Sequence, residues 1–286
     1  MWRPWSKRSE FGSDRRGEPR RRWRAVLGLL AACVMLGMVA VVASGWFTRT
    51  ERLDGGAIVV RSQPGTDERS RVAARTGARL ALRWSVRTSG LRPRDPVEIR
   101  LANRGRCLWL ESLDASAWSG TDLTGDDFVC VYTRRTSWRA SMAGQPNRAL
   151  ALIAHETIHH AQRSLGCVDD PGRFRFQWFV EGMAVWGAGR TLVDGGVWTP
   201  AQADREALHA DGPPPRRPLR DFETSAAGGA YSLGRFAVAD LVARRSVRHL
   251  WRFCAAVGRG RPWRDAFRST FGIGVEDFSR RFDQSR

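Results

Sequence analysis

The hydrophobic and polar positions divide the chain into three regimes. From Ala25 to Phe47, 23 residues carry no charge. At about 1.5 Å per residue such a run crosses a ~30 Å hydrocarbon core, so it predicts one transmembrane helix. The second regime mixes short alternating runs with one amphipathic stretch. Ala57-Ile58-Val59-Val60 is short and β-branched, Pro96–Leu101 alternates with period two, and Asp127–Tyr132 is largely apolar; each predicts a strand. Within 66–88, Val72, Ala73, Leu80, Ala81 and Trp84 share one helical face, although Gly77 interrupts it and the second half also alternates with period two. The stretch between the last two strands, with Gly120 and Gly125 among Asp, Ser and Thr, reads as turn.

From Pro146 onward the period is helical. Ala149–Ala154 is apolar on every side, which predicts a central, buried helix with Asn147 as its N-cap. A second apolar helix covers Trp178–Trp186. Helical spacing returns at Pro200–Ala210, Tyr231–Arg244, Val247–Val257, Pro262–Phe271 and Val275–Phe282. The connection 190–228 is long, and reads as a rim or lid over a cleft. Together these elements make an α+β domain: a small N-terminal sheet on a helix, a central helix, and a helical C-terminal part.

Charge changes the picture at the N-terminus. Residues 1–24 hold nine Arg or Lys against three acids and too few apolar side chains to fold, so they read as a disordered basic tail. The flank after Phe47 is near neutral, and the positive flank stays cytoplasmic. The expected organisation is a cytoplasmic tail (1–24), a membrane anchor (25–47), a polar linker (48–56) and an extracytoplasmic domain (57–286). The chain would be single-pass in the cell membrane, with the lipid bilayer as partner through 25–47. Val41-Val42-Ala43 leaves cleavage as a signal peptide open. The net charge of +18 is almost all arginine, scattered through every segment and interleaved with acids. That pattern reads as a solvated basic surface, with no nucleic acid as partner. Cys33 lies in the anchor, while Cys107, Cys130, Cys167 and Cys254 would face an oxidising compartment. Cys107 and Cys130 each sit in a short apolar run and are the favoured pair; buried free thiols are the alternative.

The chemistry concentrates in 147–186. His155-Glu156-Thr157-Ile158-His159 is an H-E-x-x-H motif on the central helix. Histidines four apart stand one turn above each other on one face, so both imidazoles reach one zinc ion, with Glu156 beside it. A third ligand is needed, and Glu181 lies on the next apolar helix. Two neutral imidazoles and one carboxylate leave a fourth position open, as a catalytic site does. His160 reads as a structural or exposed histidine, and Trp178 and Trp186 as packing. Gly182, without a side chain, would let helices approach closely around the ion.

His155-Glu156-Thr157-Ile158-His159-His160-Ala161-Gln162, followed by Trp178-Phe179-Val180-Glu181-Gly182-Met183-Ala184-Val185-Trp186, resembles the gluzincin metallopeptidases. It looks most like their peptidase MA-like group, which pairs H-E-x-x-H-x-x-Q with W-x-x-E-G-x-A-x-W/Y. The resemblance implies a zincin-like fold and zinc bound by His155, His159 and Glu181. It also implies Glu156 as general base and a peptide or protein as substrate. It further implies a tyrosine near the start of the helix at 231, so Tyr231 is the candidate oxyanion donor, with a buried packing tyrosine as the alternative. Arg235, one turn on, could hold a substrate carboxylate. One departure stands out. Thermolysin-like members carry an aspartate four residues after the third ligand to orient a zinc histidine, and here Val185 holds that place. Gln162 and Asp170 are the candidates for that orienting role. A catalytically silent binding module on the same fold is the competing reading, and the intact Glu156 argues against it.

Overall fold

In the computed structural model, the described residues are 26–36, 47, 49–93, 95–103, 107, 117–121, 127–168, 176–211, 214–224 and 230–286. The chain divides into two units, Met1–Trp46 and Phe47–Arg286. In the first, 26–36 form a helix (α1) whose side chains, Leu27, Leu29, Leu30 and Leu36 among them, stand exposed. Among the described residues no helix is long and apolar enough to cross a membrane. Residues 37–46 of the predicted anchor, and the whole 1–24 tail, lie outside the described residues.

The second unit has a five-stranded mixed sheet ordered β1-β2-β3-β5-β4. Its strands are β1 (Arg49–Leu53), β2 (Ile58–Ser62), β3 (Val97–Ala102), β4 (Ala117–Thr121) and β5 (Asp127–Tyr132). β2, β3 and β5 run parallel, and the edges β1 and β4 run antiparallel to them. Two expectations are corrected here. The polar stretch 48–56 is not a linker: Arg49–Leu53 pairs along β2 as an edge strand, where charged side chains are tolerated because one side faces water. Part of the predicted turn region, Ala117–Thr121, is the other edge, on β5.

Between β2 and β3 runs α2 (Glu68–Ser89), the crossover that a parallel pair requires. It is one unbroken helix, capped by Asp67, whose side chain accepts from the Ser70 N–H at 2.8 Å. Gly77, an apparent interruption, is where the central helix crosses. A Cβ there would lie 2.8 Å from the Ile153 Cβ and 2.9 Å from the Leu150 carbonyl oxygen. The cost of a helical glycine is offset by the approach it permits.

Next come α3 (Thr136–Gly144) and the central helix α4 (Pro146–Ser164). Gln145, not Asn147, is the N-cap; Pro146 takes the first turn, where its missing N–H costs nothing, and Asn147 falls inside the helix. The helix lies between two cores, which is why it is apolar all round. Ala149 and Ile153 join Ile58, Ile99, Val129 and Val131 on one face of the sheet. Ala154, Ile158 and Ala161 join the core of the helical half. That half comprises α5 (Gln177–Asp194), α6 (Pro200–Asp211), α7 (Ala230–Arg244), α8 (Val247–Gly258), α9 (Trp263–Phe271) and α10 (Val275–Gln284). Its centre is aromatic: Phe179 and Phe253 have ring centroids 4.6 Å apart, and Trp178 stacks on Phe278 at 5.9 Å.

The 190–228 connection is far more structured than a free lid. α5 continues to Asp194 and α6 follows. A 3-10 turn, Leu219–Phe222, buries Leu219 and Phe222 completely and docks on α10 through the Leu219 N–H to the Asp283 carboxylate. Two disulfides close the unit, Cys107–Cys130 and Cys167–Cys254. The second joins the end of α4 to α8 across 87 residues of sequence, a span for which the loss of unfolded-chain entropy contributes about 4.6 kcal/mol.

Candidate metal centre

α4 and α5 place three donor atoms around one point. His155 Nε2 and His159 Nε2 lie 3.0 Å apart. Glu181 Oε2 is 3.4 Å from the first and 3.2 Å from the second. A tetrahedral zinc with bonds of ~2.0–2.1 Å separates its ligand atoms by about 3.3 Å. The observed triangle has that size, so the donor set fits a small cation without rearrangement, and these three residues form a group that could hold a metal ion. Without a cation, burial disfavours a charged imidazole at His159, but the facing Glu181 carboxylate outweighs it and the net shift of His159 is upward. The same pairing overcomes the upward push of burial on Glu181 and holds its carboxyl well below the usual range. A cation takes the place of a proton at such a site, since a ligating imidazole nitrogen must be unprotonated.

Gln162 lies one turn beyond His159. Its amide NH2 donates to the Val180 carbonyl at 3.0 Å. That orients its oxygen toward His159 Nδ1, 2.7 Å away, and selects the Nδ1–H tautomer. His159 Nε2 is then the atom free to bind a metal. Val180 immediately precedes Glu181, so one buried amide ties a histidine of α4 to the carboxylate of α5. Of the two candidates for the orienting role, Gln162 fills it for His159, and Asp170 lies outside the described residues. Replacing Gln162 by Leu should weaken zinc binding by about 10–100-fold in a chelator competition titration. Unchanged affinity would remove Gln162 from the site.

Glu156 follows His155 directly. It is 7% exposed, and its carboxylate makes no hydrogen bond to any described residue, which leaves both oxygens for a ligand. Tyr231, half-buried at the start of α7, has its ring centroid 6.1 Å from that of His155. Sequence reasoning missed what brings it there. Gly182 was expected to ease packing around the ion, but its close contact is with α7. A Cβ on Gly182 would sit 2.2 Å from the Gly234 carbonyl carbon, and one on Gly234 would sit 2.1 Å from the Trp178 carbonyl oxygen. The two backbones touch, and Tyr231 is one turn before that contact. Paired glycines in two apolar helices are the signal that could have revealed it.

Other expected residues fall elsewhere. His160 is buried and structural: burial lowers its pKa, and its Nε2 lies 3.3 Å from the Asp95 carbonyl. Arg235 is turned away from a substrate role by an ion pair to Asp204 of α6. Arg148 at the start of α4 pairs with Glu206 of α6 at 2.5 Å, so α6 is tied by ion pairs to both α4 and α7. Trp178 is fully buried and Trp186 packs edge-on against Trp84, 6.1 Å between centroids; both are packing residues.

No family profile matches the chain, and no curated protein matches it in sequence. Among solved structures, the M1 zinc metallopeptidase from Deinococcus radiodurans superposes with a TM-score of 0.51 at 17% identity. The superposition covers 82% of this chain and 50% of that enzyme, so the chain spans about half its length. At that identity the likeness is one of fold, a mixed α+β fold of zincin type. The H-E-x-x-H helix and the downstream glutamate come together within it.

Proposed function

We propose that the chain is a zinc-dependent peptidase held to a membrane by 25–47, with its compact unit outside the cytoplasm. The observation that carries the hydrolytic reading is the triangle of His155, His159 and Glu181, with the unengaged Glu156 carboxylate beside it. Zinc, when bound, supplies a Lewis acid for carbonyl polarisation and for activating water. Glu156 takes a proton from the attacking water and returns it to the leaving nitrogen of the peptide. Tyr231 donates its phenolic O–H to the oxygen on which negative charge develops. Gln162 keeps His159 in the metal-binding tautomer throughout.

The location outside the cytoplasm is supported by the two disulfides, which persist in oxidising compartments, and by the positive N-terminal flank. The exposed leucines of α1, within an uncharged run of 23 residues, are what a bilayer would cover.

The test is zinc content of the purified chain together with hydrolysis of a peptide library. One zinc per chain with cleavage is expected. In Glu181→Ala the loss of an anionic ligand should lower zinc affinity by at least about 100-fold, judged against losses of up to 100-fold from outer-shell changes alone. A chain that binds no zinc overturns the proposal. Stoichiometric zinc with no cleaved peptide would leave a binding module on the same fold.

A further inference from the structure

Behind the metal helix, the C-terminal ends of α2 and α4 and one face of α8 enclose a cavity of about 530 Å³. A second concavity of about 430 Å³ adjoins it through shared walls at Leu91, Trp251 and Arg259. Five arginines line the two: Arg92, Arg163, Arg248, Arg252 and Arg259. Among the described residues no Asp or Glu lines either. Some arginines elsewhere on this surface are matched, as Arg87 is with Asp194, Arg244 with Asp240 and Arg264 with Glu276. Here only Arg163 has a carboxylate partner, Asp127 at 3.6 Å. Arg92, Arg248, Arg252 and Arg259 are exposed and make no ion pair or side-chain hydrogen bond among the described residues.

One independent feature points the same way. Ser85, on the cavity wall, is 2% exposed, and its Oγ has no hydrogen-bond partner among the described residues. Buried hydroxyls are rarely left so, because an unmade hydrogen bond costs more than a made one contributes. A cluster of like charges in a concave site also raises its own potential and concentrates anions there. Guanidinium forks bind tetrahedral oxyanions in pairs of parallel hydrogen bonds, and a hydroxyl donor completes such a cradle.

We infer that these two adjoining concavities form one phosphate-binding site, separate from the metal centre, in which Arg92 from the first, Arg252 from the second and Arg259 from their shared wall hold the anion. The phosphate is either free or a monoester, or it is the diester of a lipid headgroup. The binding itself does not depend on the peptidase reading, because none of these three arginines touches His155, Glu156, His159 or Glu181.

Two soluble probes separate the sources: inorganic phosphate, and glycerophosphoglycerol, the deacylated headgroup of phosphatidylglycerol. Each is titrated calorimetrically into the full chain at low ionic strength. The unaltered chain should bind at least one, and Arg92→Ala/Arg252→Ala/Arg259→Ala should bind it at least about tenfold more weakly, since charge-assisted hydrogen bonds are lost. Tighter binding of the diester identifies a headgroup site; tighter binding of inorganic phosphate identifies a free or monoester ligand. Arg216→Ala/Arg281→Ala, at two exposed arginines outside both concavities, should bind like the unaltered chain, which separates a site from general positive charge. Arg259→Lys keeps the charge and loses the fork, so it should fall between, and it covers the case of a triple variant that does not fold. Binding of neither probe, or equal losses in the triple variant and the Arg216/Arg281 control, would overturn the inference.

Discussion

Glu156→Gln should lower kcat/KM for peptide hydrolysis by about 10²–10⁴-fold while the zinc content stays that of the unaltered chain. The amide is isosteric with the carboxylate, so the helix and the metal ligands keep their places. It cannot accept the proton of the attacking water, and that loss is felt in the transition state alone. The drop corresponds to about 3–5.5 kcal/mol of barrier. Glu156 suits this test because it makes no hydrogen bond to any described residue, so its removal leaves no other buried group unpaired. Steady-state kinetics with metal analysis on the same samples decide the matter. A variant with full zinc and an unchanged rate would take the base away from Glu156, and with it the mechanism proposed above.

Gly182→Ala and Gly234→Ala should each destabilise the compact unit by about 3 kcal/mol or more. Overpacking by a methyl group costs ~1–3 kcal/mol where side chains can yield. Here the new Cβ meets backbone at 2.2 Å and 2.1 Å, and backbone in two packed helices yields little. For a domain of this size roughly 2–4 °C of Tm is lost per kcal/mol, so thermal melts should fall by roughly 6–12 °C. A folded remnant should also lose activity, because moving α7 off α5 moves Tyr231 away from His155. A melting temperature within a degree or two of the unaltered chain would show that the helices can part at little cost.

Much of the centre was legible before the fold. Five consecutive residues, His155 to His159, carry both histidines and the base, so the period of a helix alone puts His155 and His159 side by side. The glutamate of α5 was legible because two histidines need a third ligand, Glu181 lies on the next apolar helix, and the segment around it resembles the gluzincin pattern. Elements with strong local patterns, such as β5 and α2, lie close to where their hydrophobic periods put them. β1 did not, because an edge strand of Arg, Thr and Glu has no apolar face to announce it, and its pairing is made by backbone atoms that every sequence shares. β4 was hidden for a similar reason, being short and next to turn residues.

By itself, then, the amino-acid order determined the donor types, their helical spacing and the two apolar helices that carry them, because these depend on local geometry. It also determined the excess of arginine. Only the tertiary structure decided the rest, because the rest depends on distances between segments far apart in the chain. It set the 3.0–3.4 Å triangle. It chose Gln162, through the Val180 carbonyl, to orient His159 in place of an acid at Val185. It pressed Gly182 against Gly234 and so brought Tyr231 close to His155, and it put Arg92, which follows α2, on one concave wall with Arg259, which follows α8.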